Sequence, residues 1–350
     1  SYSLIGILMK VLVTGANGHI GSNVVRSLID QNYQVKAFIR KESDTRGLDG
    51  LDIEYCYGDV MKAESLEEAV IGCDAIIHLA AVYKTIAKTP EEIVEPAIEG
   101  AKNVFAAAHK AGIKRVVYTS SIASIGFSYD QNKLLTGNDW NQDAQNPYYI
   151  AKTQSEKAAQ ELAKKHDIHL VVICPAIVLG AQDYRVTPSN QIVMDWINGT
   201  GQTYRGGMNV VDVRDVADFH VAALTKGENC KRYIAGGENC VVQDMGKTVT
   251  RLTGRKLMHI PTGRSVTLFT ARIVEGFCKL FGLTPPFTYD LIYEVSERWG
   301  FYDFQESIDT FGITPRKSEE SLKASINWLL ETNKIKPGIA QKVRDKLAQS

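Results

Sequence analysis

The feature that most constrains this chain lies between Lys10 and Gly21, where KVLVTGANGHIG sets three glycines directly behind the apolar run Val11-Leu12-Val13. Buried parallel strands read as near-continuous apolar runs, whereas glycines have no side chain to pack, so something needs the space at Gly15, Gly18 and Gly21. A strand, then GxxGxxG, then a helical pattern brings backbone amides and the positive end of a helix dipole to one point, where an anion can sit. Gly15 permits the tight turn, Gly18 lets a pyrophosphate approach the backbone, and Gly21 lets the helix pack close to the strand. The pattern points to a dinucleotide, although any tight βα turn can also hold such glycines.

The rest of the chain supplies the context. From Lys10 to Pro175, the strand candidates KVLVTG, QVKAFIR, DIEYCYGD, AIIHLAA, RVVYTSS and LVVICPA alternate with segments whose apolar residues recur at three- and four-residue steps. That alternation predicts an α/β fold, a doubly wound parallel sheet of the Rossmann type with helices on both faces. Past Gly180 the rhythm loosens, with a helix expected at Gln191 to Asn198, then tightens at NVVDVRDVADFHVAALTKG, where a strand feeding a helix reads as a return to the first sheet. The division expected is a nucleotide-binding domain at 9–180 and 210–232, with a smaller, interleaved substrate-binding lobe at 181–209 and 233–350.

Composition narrows the partners. Lysine plus arginine equal aspartate plus glutamate at 40 each, so total charge gives no support to binding nucleic acid or an anionic membrane. The six cysteines are scattered without CxxC or Cys/His spacing, which predicts reduced thiols of a cytoplasmic protein and no metal site. Ser1 to Leu8 lacks the basic start and small-residue cleavage site of a signal peptide. The most apolar late stretch, VTLFTARIVEGFCKLFGL, carries Arg272, Glu275 and Lys279, too many charges for a membrane span, and reads as an amphipathic helix of a soluble lobe.

Three further places carry chemistry. At the end of the second strand, where an NAD site usually has an acid for the ribose hydroxyl, stand Arg40 and Lys41, which favours NADP(H) and leaves NAD(H) possible. Glu42 and Asp44 follow closely, and Arg40 can equally be a solvated strand-end charge. In NPYYIAKTQSEK, Tyr148 and Lys152 are one helical turn apart, so an ammonium, together with a cationic oxidised nicotinamide, can lower the phenol's pKa and make it a proton donor and acceptor. Tyr149 has Thr153 at the matching position and lacks the pairing. In RVVYTSSIAS, Ser121 sits where a strand's carboxyl end meets the crevice and can hydrogen-bond a carbonyl oxygen as charge develops on it, or simply close the strand. His19 and His78 read as satisfied structural groups, while Tyr184 and Tyr204 suit either a pocket wall or the core.

Together these stretches resemble the extended short-chain dehydrogenase/reductase family, with TGxxGxxG, GDV, HLAA, YTSS and YxxxK in the family's order and the likeness running on through CPAIVLG to FGITPRKSEESLKASINWL. The resemblance implies Tyr148 as general acid/base, Lys152 as the group that lowers its pKa and holds the nicotinamide ribose, and Ser121 as the residue orienting the carbonyl. It also implies cofactor contacts at Thr14, Gly15, Asn17, Gly18, His19, Ile20, Gly21, Arg40, Lys41, Leu79 and Thr119. Asp59 and Val60 would lie against adenine, Ala80 and Ala81 along the cofactor, and Pro175 and Ile177 facing the nicotinamide. Within the family the chain looks most like the dihydroflavonol reductase and cinnamoyl-CoA reductase branch, which implies an NADPH-dependent reductase of a small-molecule carbonyl. A nucleotide-sugar epimerase/dehydratase using NAD(P) is the alternative, and a homodimer is an option the sequence leaves open. Ala97, Cys174 and Asp212 depart from residues frequent in the family, and the last two are expected to change the pocket wall.

Overall fold

The computed structural model describes residues 8–79 and 87–350. The six expected strands form: β1 (Lys10–Thr14), β2 (Gln34–Ile39), β3 (Glu54–Tyr57), β4 (Ala75–His78), β5 (Arg115–Thr119) and β6 (His169–Pro175). Around them come β7 (Ile177–Leu179), β8 (Gln202–Thr203), β9 (Gly207–Asp212), β10 (Lys231–Ala235), β11 (Glu238–Val241) and β12 (Met258–His259). The helices among them are α1 (His19–Asp30), α2 (Ala63–Ala69), α3 (Glu91–Lys110), α4 (Pro147–Lys165), α5 (Pro188–Asn198) and α6 (Val213–Ala222). The chain closes with α7 (Val242–Thr253), α8 (Arg264–Leu280), α9 (Tyr289–Val295), α10 (Gln305–Phe311), α11 (Ser318–Glu331) and α12 (Pro337–Leu347).

The main sheet has seven parallel strands in the order β10-β6-β5-β4-β1-β2-β3. The chain therefore starts in the middle, runs outward through β2 and β3, and returns to the other flank of β1 at β4. Right-handed crossovers running in opposite directions put α1 on one face, beside α6, and α2, α3 and α4 on the other. The register aligns Val13 with Ala37 on one side and with Ile77 on the other, all fully buried, which is why these strands are apolar throughout rather than alternating.

The strand of the NVVDVRDV stretch departs from expectation. β9 does not return to the first sheet; it is the centre of a second sheet ordered β11-β9-β7, parallel to β7 and antiparallel to β11. The seventh place in the main sheet goes to β10, which pairs with β6. A short run such as Val210-Val211 suits any strand buried on both faces, and nothing local says which sheet it joins. Its helix α6 does pack beside α1. The second sheet and α5, α7, α11 and α12 share a core that includes Leu179, Trp196, Val249 and Leu329. The expected helix at Gln191 begins earlier, because Pro188 takes the first-turn position, and it ends at Gly199 with φ 82°, the left-handed conformation suited to glycine.

At the opening turn, Gly15 has φ 64°. A Cβ on Gly21 would overlap the Gly15 carbonyl oxygen and lie 2.9 Å from the Ala16 Cα, whereas one on Gly18 would sit 3.4 Å from its nearest neighbour. Gly21 thus sets the distance between α1 and β1. Gly21→Ala should push the helix start away and cost about 1–3 kcal/mol, the range for overpacking. Chemical denaturation checks this, and an unchanged midpoint would contradict it.

Candidate active site

The turn of the sheet's direction between β1 and β4 opens a crevice at the carboxyl ends of the strands, where α/β sheets of this kind bind ligands. On its floor the Thr14 hydroxyl lies 2.7 Å from His78 Nδ1 and accepts a hydrogen bond from the Leu79 amide at 3.0 Å, pinning β1 to β4. The first turn of α1 follows from Gly18, with no side-chain cap and no acidic residue. Its amide donors at His19, Ile20 and Gly21 meet no competing carboxylate of that turn, as an anion at this end requires. The His19 side chain is buried, 3.9 Å from Asp183, and burial holds its pKa down. Asn17 spends an amide hydrogen on the Asp44 carbonyl, tying the turn to the loop after β2.

In that loop Arg40 and Lys41 are exposed at the end of β2, and neither forms an ion pair among the described residues. Asp44 is not available to them, since Arg46 grips both its carboxylate oxygens and holds its pKa down at about 2. Asp59 uses Oδ1 to accept from the Met61 amide at 2.9 Å, capping the turn into α2. The Val60 side chain lies against Gly100, and its carbonyl accepts from Asn103. Ala80 and Ala81 lie outside the described residues.

Across the crevice, Thr119 shares a 2.7 Å hydrogen bond with His220 Nε2, whose Nδ1 donates to the Val216 carbonyl. Ser121 caps a single 3-10 turn, Ile122–Ser124, accepting from the Ala123 amide at 3.0 Å. Helix α4 begins with Asn146, whose side chain accepts from the Tyr148 amide, followed by Pro147 in the first turn. Tyr148 and Lys152 then share one face, with Lys152 Nζ 5.7 Å from the phenol ring centre, and the Ser121 hydroxyl faces the Tyr148 hydroxyl. The edge of Tyr149 packs on Tyr148, and Phe127 packs on Tyr149. Pro175 ends β6, buried, and Ile177 opens β7, half-buried, at the same end of the sheet.

Burial pushes the Tyr148 phenol up to about 12, and the Ser121 hydroxyl pulls it down; the expected lowering by Lys152 acts together with a bound oxidised nicotinamide. The ammonium lies over the ring at 5.7 Å from its centre, and its charge also helps depress His78 at the end of β4. Two expectations need correction. Neither Cys174 nor Asp212 offers a free group to a pocket. Cys174 is fully buried, 4.0 Å from the Glu156 carboxylate, and Asp212 caps α6 and pairs with Arg214. Tyr184 packs on Trp328 under the Arg46 guanidinium, whereas Tyr204 lines a cavity of about 310 Å³ with Arg205, His259 and Glu297. No group of metal-ligating side chains occurs among the described residues.

Several supporting residues carry no short motif. The buried Glu156 accepts from Ser120, from Ser124 at 2.6 Å and from Arg232 of β10. Arg232 also donates to the Gly137 and Asp139 carbonyls and covers Trp140 at 3.6 Å. Glu294 of α9 accepts from the Gln145 and Asn146 amides, the latter at 2.9 Å, fixing the entry to α4. Glu156 follows Lys152 by one turn and was within sight of the helical spacing; its partners were not.

His78 and His220 give the site a pH signature. Burial lowers both to about 4, with Lys152 adding to the effect at His78. Well above pH 6.5 neither the folded nor the unfolded chain protonates them. As pH falls from about 6.5 toward 4, the unfolded chain takes up protons that the folded one refuses, so stability drops by up to about 3 kcal/mol per histidine. Denaturation midpoints at pH 7 and pH 5 check this, and coincident midpoints would contradict it.

Known proteins resemble this chain over most of its length. A family model described as the NAD dependent epimerase/dehydratase family matches residues 11–236. A putative dihydroflavonol 4-reductase of Synechocystis sp. is 29% identical over 336 residues, covering 93% of this chain and 95% of that one. Cinnamoyl-CoA reductase 1 of Petunia hybrida is 34% identical over 240 residues, covering 64% and 71% respectively. Among solved structures, that of gox2253 superposes with a TM-score of 0.82 at 26% identity, over 93% of this chain and 99% of that one.

Proposed function

The chain belongs to the NAD dependent epimerase/dehydratase family, in the extended short-chain dehydrogenase/reductase group and on its dihydroflavonol and cinnamoyl-CoA reductase-like branch, and from that membership we propose that it reduces the carbonyl of a small organic substrate with NADPH. It is an NAD(P)-dependent oxidoreductase. The observation that carries the finer proposal is the convergence of Ser121, Tyr148 and Lys152 at the crevice.

The residues present fit a dinucleotide. The uncapped start of α1 suits a pyrophosphate, the room at Gly18 lets it approach, and the unpaired Arg40 suits a 2′-phosphate now that Asp44 is spent on Arg46. When bound, NADPH supplies a hydride to the substrate carbon. Ser121 donates a hydrogen bond to the carbonyl oxygen and fixes its direction. Tyr148, with its pKa high and its proton in place at neutral pH, passes that proton to the oxygen as charge grows there. Lys152 holds a positive charge beside the site as the phenolate forms, and the half-buried phenol ring packs against Tyr149 and the cluster of Ile93, Val94 and Ala151. The names of the two curated relatives support a ketone or an acyl-CoA thioester as the substrate class.

Dissociation constants for NADPH and NADH test the cofactor choice. NADPH is expected to bind at least tenfold more tightly, and Arg40→Glu to remove that preference, as expected for a charge-assisted contact worth about 1.5–3 kcal/mol. Tighter binding of NADH by the unaltered protein would overturn it. Tight retention of the cofactor with no net NADPH consumption would instead favour epimerase chemistry.

A further inference from the structure

Helix α8 forms as an amphipathic helix, but with its apolar side chains divided between two faces. Ala271 and Cys278 are buried against the protein. Pointing outward, Val266, Phe269, Ile273, Phe277 and Leu280 are 55 to 78% exposed. Their steps of three, four, four and three residues form one narrow stripe along the helix. Phe281 and Leu283 extend it past the helix end, 60% and 56% exposed, around a turn at Gly282. Of fifteen large exposed apolar side chains among the described residues, these seven fall within one stretch of chain, so the patch is not the usual scatter of single surface residues.

The charges around the stripe indicate what covers it. Arg272 and Lys279, seven residues apart and both exposed, share one flank. The helix's one acid, Glu275, is half-buried and accepts from the Tyr289 amide, and Asp290 on the neighbouring α9 accepts from the Leu291 amide. The outward face therefore combines an exposed apolar stripe with cations and no acid of its own helix. A second copy brought against this stripe would add two more cations and no free acid of α8 to answer them. A bilayer carrying anionic headgroups answers both features, taking the stripe into the acyl boundary and the cations at the phosphates. No helix among the described residues is long and apolar enough to cross a membrane, which fits a helix lying along the surface. The balanced charge of the whole chain gives no hint of this local arrangement.

We propose that α8 and the turn after it dock the protein on an anionic lipid surface. The inference is independent of the reductase proposal. The test is co-sedimentation of the full chain with phosphatidylglycerol/phosphatidylcholine vesicles and with phosphatidylcholine vesicles, alongside sedimentation velocity without lipid. The chain is expected to partition onto the anionic vesicles at least tenfold more strongly than onto the neutral ones. The double variant Ile273→Asp with Phe277→Asp should abolish binding, and Arg272→Glu with Lys279→Glu should weaken it at least tenfold, both with unchanged thermal melting. Absence of binding to either vesicle, equal binding to both, or a lipid-free dimer that Phe277→Asp dissociates would each overturn the proposal.

Discussion

Arg232→Met is expected to destabilise the protein by about 3–5 kcal/mol, the range for removing one partner of a buried ion pair. Glu156 has no exposed surface, and Arg232 is 6% exposed, so neither charge can turn to water when its partner is lost. The variant leaves the carboxylate with neutral donors, chiefly the Ser120 and Ser124 hydroxyls, and strips the Gly137 and Asp139 carbonyls and the Trp140 ring of the guanidinium. Methionine restores part of the volume but none of the donors. The double variant Glu156→Leu with Arg232→Met should recover much of the loss, because no uncompensated charge remains. Urea denaturation of the single and double variants separates the two terms, and a single variant as stable as the unaltered protein would refute this role for the pair. The cluster also bears on the site, since it joins β10, α4 one turn past Lys152, and the turn that starts at Ser121.

Local signals carried much of this architecture. Six parallel strands, the turn at Gly15 and the close approach at Gly21 were legible because each depends on residues a few places apart. So was the shared face of Tyr148 and Lys152, which helical geometry dictates. The sheet joined by β9 was not legible, since pairing with β7 and β11 is a choice among partners far along the chain. Glu156 and Arg232 meet across 76 residues, and Glu294 reaches back 148 residues to Asn146, distances over which spacing carries no information. The burial that raises the Tyr148 pKa was equally out of sight, because it is a property of the packed crevice and not of the residues one turn away. The outward stripe of α8 was hidden for a related reason: its period was visible, but not which of its faces the protein covers.

The second large effect concerns Tyr148 itself. Phenylalanine keeps the ring that packs against Tyr149 and removes only the hydroxyl facing Ser121. A pKa near 12 leaves that hydroxyl loaded with its proton throughout the neutral range, as a donor for carbonyl reduction must be, and alcohol oxidation should accordingly speed up as pH rises. The most direct measurement is kcat/KM for NADPH-dependent reduction of a carbonyl that the unaltered protein turns over, set beside the Kd for NADPH, in Tyr148→Phe. The expected result is a loss of about 10²–10⁴ in kcat/KM with NADPH affinity held within about twofold, as for removal of a general acid outside the phosphate site. Turnover by Tyr148→Phe equal to that of the unaltered protein would contradict the account.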